Sequence, residues 1–236
     1  MKKSILAFVA LLAIAACDKK EPKGNLHITG NVKGLKDGTL YIQKFVDTSL
    51  IAIDTIIIEG DSKFESYLDL KSPEMLYLFV DRGVSNSLDN NLMFFAEPGK
   101  MTVETNLDAF LSDAKITGSK NHELYEEYKK TTERYKDQNL SLIEQKFKAI
   151  KRKDTKAVDS LSQLQELNMK RKYLFAVNYA MNNKDHEIAP YIALAEVYDI
   201  NVKFLDTIAK SMSPKIKESM YGKKLTQYIK ALKTTN

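Results

Sequence analysis

The chain has 236 residues, a formal charge of +5, 44% hydrophobic and 28% charged side chains, one cysteine, three histidines and no tryptophan. A single cysteine excludes an internal disulfide, a Cys-x-x-Cys redox pair and a cysteine-rich metal site, and so small a charge imbalance does not imply nucleic acid as a partner. The length allows one or two domains, each held by its own core.

Lys2 and Lys3 precede an unbroken apolar run, Ile5 to Ala16, that ends in small residues. This is the layout of a signal peptide, with a basic start, an apolar centre and a small-residue cleavage site. The run is too short for a bilayer-spanning helix, which takes about 20 residues. Ile14-Ala15-Ala16-Cys17 resembles the lipobox of bacterial lipoproteins. The resemblance implies that the Cys17 sulfur is acylated and that Cys17 becomes the new N-terminus, with diacylglycerol and a further palmitate-type chain. Two or three chains, at about 0.8 kcal/mol per buried CH₂, anchor stably where one does not. The plain alternative is a secretory peptide with an incidental cysteine. Cleavage leaves 220 residues (236 less 16) and removes two lysines, which brings the formal charge to +3. A lipidated Cys17 also leaves the mature chain without a free thiol for chemistry.

Residues 17–25, from Cys17 through Asp-Lys-Lys-Glu-Pro-Lys-Gly-Asn, contain no large apolar side chain and read as a lipidated tether. Asp18 in second position resembles an inner-membrane retention signal under one bacterial sorting rule, and other groups sort differently. The expected location is the cell envelope, with the outer membrane favoured and the periplasmic or surface face open.

From Leu26 the pattern has period two. Leu26-His27-Ile28-Thr29-Gly30-Asn31, the Asp37-Gly38 turn and Leu40–Phe45 read as a hairpin. Ile51 to Glu59 is rich in β-branched residues and reads as a strand buried on much of both faces. Further strands are expected at Phe64–Leu70, Met75–Val80, Leu92–Ala96, Met101–Thr105 and Ala114–Thr117. Eight short strands at turn-separated intervals predict an antiparallel β-sandwich or open barrel over residues 26–118.

Ile28-Thr29-Gly30 before Asp37-Gly38, Tyr41-Ile42, Ile53-Asp54-Thr55 leading to Phe64, Phe94-Phe95-Ala96-Glu97-Pro98-Gly99, and Ile116-Thr117-Gly118-Ser119 follow one another in an order that resembles the DUF4369 module of Bacteroidota envelope lipoproteins. The resemblance covers about residues 26–130. In longer members a helical segment runs on into a thioredoxin-like domain with a Cys-x-x-Cys dithiol. This chain carries only the accessory part of that layout, and no residue in it can exchange thiols.

From Ser119 onward the period is helical, and residues 119–236 read as an α-helical domain, so the fold class expected is α+β. Ser119 is placed as an N-cap, and Leu124, Tyr128, Tyr135, Leu142, Phe147 and Ile150 recur at helical spacing. Lys151-Arg152-Lys153 suits a helix C-terminus, and Asp154 caps a second helix marked by Leu161, Leu164, Leu167, Leu174, Val177 and Met181. The two form a long antiparallel helical hairpin. Shorter helices are expected at Ile188–Val197, Val202–Lys210 and from Pro214, which has Ser213 as cap and is bent or interrupted at Gly222.

His27, His122 and His186 have no metal-site spacing. His122 with Glu123, Glu126 and Glu127 suggests a metal cluster or, more simply, a solvated first turn that suits the helix dipole. Asp54 within an apolar strand and Glu97 before Pro98-Gly99 are the carboxylates that a hydrolase would use; the plain alternatives are a backbone-bonded aspartate and a turn. No Gly-x-Ser-x-Gly elbow or Gly-rich phosphate loop is present. Tyr67, Tyr77, Phe79, Phe94 and Phe95 either line a ligand cleft or fill the core. The expected function is a membrane-anchored, non-enzymatic accessory or interaction module without cofactor or metal, with a separately encoded thioredoxin-fold protein as one partner. A small-molecule or glycan binder is the alternative, and a carboxylate-dependent hydrolase a further one.

Overall fold

The computed structural model describes residues 24–83 and 88–235. The leader, Cys17 and all but the last two tether residues lie outside the described residues. Asn25, expected in the tether, already belongs to the fold: its side-chain amide donates to the Leu70 carbonyl at 2.7 Å and its oxygen accepts from the Leu70 N–H at 2.9 Å.

Eight strands form two four-stranded sheets that pack as an open sandwich. They are β1 (Leu26–Lys33), β2 (Asp37–Val46), β3 (Ser49–Glu59), β4 (Lys63–Leu68), β5 (Glu74–Asp81), β6 (Asn91–Ala96), β7 (Gly99–Asn106) and β8 (Lys115–Thr117). The first sheet runs β4-β1-β7-β8 and the second β3-β2-β5-β6. Pairing is antiparallel except between β1 and β7, which run parallel with Ile28 opposite Met101.

Expectations for the first three strands change. β1 and β2 are not a hairpin; they lie in different sheets. Leu35 in the connection between them is buried, and its N–H bonds back to the Val32 carbonyl at 2.9 Å, so the chain crosses the core there instead of reversing beside itself. β3 is not buried on both faces. It is the edge of the second sheet, where Ile58 is buried and Ile57 is 70% exposed.

Between the sheets, Leu26, Ile28 and Val32 of β1 meet Leu40, Ile42, Leu76, Leu78, Val80 and Phe94 from the second sheet, the alternation expected of a half-buried strand. Gly30 sits in that inward series. A Cβ there would lie 2.5 Å from the Phe64 ring and 2.4 Å from the Val103 carbonyl oxygen, so only glycine lets Phe64 cross it.

The helices are α1 (Lys120–Lys151), α2 (Thr155–Asn182), α3 (Ile188–Ala195), α4 (Val202–Ser211), α5 (Pro214–Lys217) and α6 (Met220–Thr235). Ser119 accepts from the His122 N–H at 3.0 Å and Asp154 from the Ala157 N–H at 3.0 Å, so both expected caps form. Ser213 makes no such side-chain bond, although Pro214 opens the turn. Gly222 does not break α6. The interruption falls at residues 218–219, and Gly222 lets α5 come close, since a Cβ there would stand 1.9 Å from the Ile216 carbonyl oxygen.

The helices build a second core that rests on the outer face of the second sheet through Met75 and Phe95, with Tyr77 and Met93 at its margin. Phe95 makes edge contacts with Tyr191 and Tyr221 at 5.4 and 5.9 Å between ring centroids. The Tyr221 hydroxyl accepts from the Met75 N–H at 3.0 Å, which ties the last helix to the start of β5. Burial pushes the phenols of Tyr125, Tyr128, Tyr191 and Tyr221 well above their ordinary value.

Candidate functional site

Where sandwich and helices meet, a cleft of about 650 Å³ opens between the β4–β5 turn (Lys71–Pro73), the β6–β7 turn (Glu97, Pro98), the start of α1 and the loop before α3 (Asp185–Glu187). The first turn of a helix carries N–H groups with no partner of their own. Here Glu97 supplies the partner: its carboxylate accepts from the Lys120 N–H and from the Asn121 side-chain amide, the latter at 2.6 Å. A carboxylate at that end also suits the helix dipole. The Asn121 amide donates again, to Glu187 at 3.3 Å, and its oxygen accepts from the Ile188 N–H at 2.9 Å. Glu187 is only 5% exposed. Glu97 therefore joins the sheet to α1, and Asn121 carries the joint on to α3.

His122 is likewise a joint. It is 4% exposed, and Nδ1 accepts from the Phe95 N–H at 3.4 Å. Burial holds its pKa below the ordinary 6.5, with Glu126 pulling weakly the other way. His122 is thus not on a solvated face; Glu126 approaches it at 3.8 Å, and Glu123 adds a smaller pull in the same direction. Among the described residues no group of three or more His, Cys, Asp and Glu side chains gathers to hold a metal. His27 stacks on Tyr67 in the first sheet with centroids 4.1 Å apart, and His186 lines the cleft.

Asp54 is half-buried. It accepts from the Thr55 N–H at 2.8 Å and from the hydroxyl of buried Ser66, which joins β3 to β4. It stands in a different part of the fold from the Glu97 cleft.

The five aromatic residues do not share one cleft. Phe94 points into the sandwich core and Tyr67 lies on β4 of the first sheet. Phe95, Tyr77 and Phe79 fall on the outer face of the second sheet, where Phe95 is covered by helices. Beyond the helices that face continues through Tyr41, 6.1 Å from Phe79, and Phe45, edge-on to Tyr77 at 5.3 Å. Phe45 is 52% exposed, and Ile57, opposite Thr39, extends the same open face along β3, while the exposed Val46 and Ile51 lie on the opposite face of the hairpin.

Asn121 and Glu187 are not apparent from the sequence, because they act only through partners 24 and 66 residues away. Tyr41, Phe45 and Ile57 carry a weak signal, the period-two alternation, which the irregularity between Ile42 and Gln43 blurs.

The turn that carries Glu97 and the helix start that it caps fall within one recognisable family segment. Residues 26–125 match DUF4369, a domain of unknown function. The DUF4369 match takes in all eight strands and ends at Tyr125, inside α1. It therefore contains Glu97, Asn121 and His122, while Glu187 and the remaining helices lie beyond it. No curated protein and no solved structure matches the chain. Among the described residues no helix is long and apolar enough to cross a membrane.

Proposed function

We propose that the chain is a lipid-anchored envelope protein, tethered through Cys17, whose folded part is a non-catalytic interaction module. The observation that carries this reading is the open outer face of the β2–β3 hairpin, where Phe45 and Ile57 stand in solvent on the side of Tyr41 at the edge of a sheet. Such a patch marks an interaction surface, and an edge strand offers a partner its unpaired backbone groups. The sequence around Cys17 supports the anchor. The engagement of Glu97, Asp54 and His122 in bonds that join elements supports a structural role for the groups a hydrolase would need. By resemblance to longer DUF4369 proteins, a separately encoded thioredoxin-fold protein is the partner proposed.

In-cell crosslinking of the intact protein, with recovery from membranes and mass spectrometry, tests the reading. Labelled palmitate should enter the chain and one envelope partner should be enriched, and Cys17→Ala should abolish both. Labelling that survives Cys17→Ala overturns the anchor, and a crosslinking profile indistinguishable from that of an unrelated lipoprotein overturns the partner.

A second reading, a binder of small molecules or glycans, rests on the cleft beside Glu97, whose lining is polar and carries both signs of charge. It requires saturable thermal stabilisation by a ligand, weakened by substitutions at Lys71 or His186.

A further inference from the structure

The helical hairpin leaves the core early. α1 gives that core side chains only as far as Tyr128. Beyond Tyr135 it is held by α2: the Asn168 amide donates to the Tyr135 carbonyl at 2.8 Å, and Lys146 donates to Gln165 at 3.3 Å. Residues 136–151 carry the hairpin about 24 Å further.

Along this stretch Leu140, Ile143, Phe147 and Ile150 follow at steps of three, four and three, which puts them on one face of α1. Leu140 is 66%, Phe147 62% and Ile150 52% exposed. The stripe runs into a concentration of positive charge, for between Leu140 and Asp159 six Lys and Arg face three Asp and Glu. Lys148 is paired with Glu144 at 2.6 Å. Among the described residues Lys151, Arg152, Lys153 and Lys156, at the closing turn, form no ion pair.

An apolar stripe ending in unpaired cations complements an anionic lipid interface. Apolar side chains enter the headgroup boundary, while lysine and arginine stems lie along it and keep their charges on phosphates. We propose that the end of the helical hairpin docks on an anionic lipid surface, with Phe147 and Ile150 inserted and Lys151, Arg152 and Lys153 on the lipid phosphates. This contact is separate from the anchor at Cys17 and from the β2–β3 face, so its failure would leave both of those readings standing.

Because the chain has no tryptophan, Phe147→Trp in the full-length protein places a single indole at the stripe. Vesicles of brominated phosphatidylcholine, with and without phosphatidylglycerol, report insertion through quenching, and Ile57→Trp gives the reference position. The expected result is a blue-shifted indole at position 147, quenched about fivefold more on anionic than on neutral vesicles, with the difference removed in about 0.5 M salt or by Lys151→Glu, Arg152→Glu and Lys153→Glu together. Equal quenching at positions 147 and 57, or equal quenching on neutral and anionic vesicles, would overturn the proposal. Binding of the hairpin to a protein alone would appear as an indole shift without bromine quenching, which also overturns it. Unchanged circular dichroism confirms that each exposed substitution leaves the fold intact.

Discussion

Asn121 satisfies three groups with one side chain: it donates to Glu97 and Glu187 and accepts from the Ile188 N–H. Asn121→Ala strands a buried carboxylate and a buried amide, so it should cost about 2–3 kcal/mol in urea unfolding. Glu97→Gln keeps an acceptor but loses the charge opposite the helix dipole and should cost about 1 kcal/mol or less. Among the described residues the hydroxyl of Tyr128 finds no hydrogen-bond partner although the side chain is buried. Tyr128→Phe should therefore be neutral or stabilising, whereas Tyr221→Phe, which strips the acceptor from Met75, should destabilise by about 1 kcal/mol. His122 carries a pH dependence. Its folded pKa lies below the ordinary 6.5, so between those two values the unfolded chain binds the extra proton. Stability is lost as pH falls from 6.5 toward the lower folded value and stays reduced below it. Urea midpoints measured across pH 5 to 7 should show this limb, and His122→Gln should flatten it.

At the scale of elements, strands such as β1 and β4 are legible because their side chains alternate, with Leu26, Ile28 and Val32 inward and His27, Thr29 and Asn31 between them. Their partners are not legible, because alternation fixes which face is inward but not which sheet receives the strand. Asp37-Gly38 has turn chemistry, yet it opens β2, and the reversal expected beside it is a crossing led by Leu35. The β-branched run of β3 reads as a central strand and is an edge, since residue preference reports the pleated surface and not its cover. The helices and the Ser119 and Asp154 caps are legible from local spacing, the Ser213 cap is not formed, and the Glu97–Asn121–Glu187 joint depends on contacts across the whole fold. Gly30 shows how much a single position in an element carries: Gly30→Ala forces the Phe64 ring and the Val103 backbone apart and should cost about 1–3 kcal/mol in the same unfolding assay.

For the whole molecule, two cores share one sheet. The second sheet packs its inner face on the sandwich and part of its outer face, through Met75 and Phe95, on the helices. The joint at Glu97 and the tyrosine contacts of Phe95 fix the two halves against each other. What this leaves open is the far end of that outer face, the β2–β3 hairpin. An interaction module needs a rigid presenting surface, and the helical core beneath the neighbouring strands supplies one. The most direct measurement is a photo-crosslinking residue placed at Ile57 in the anchored protein in living cells. The account predicts one dominant envelope adduct from Ile57 that is absent when the same residue is placed at Lys215 and is lost with Cys17→Ala. No adduct from Ile57, or the same adducts from both positions, would contradict it.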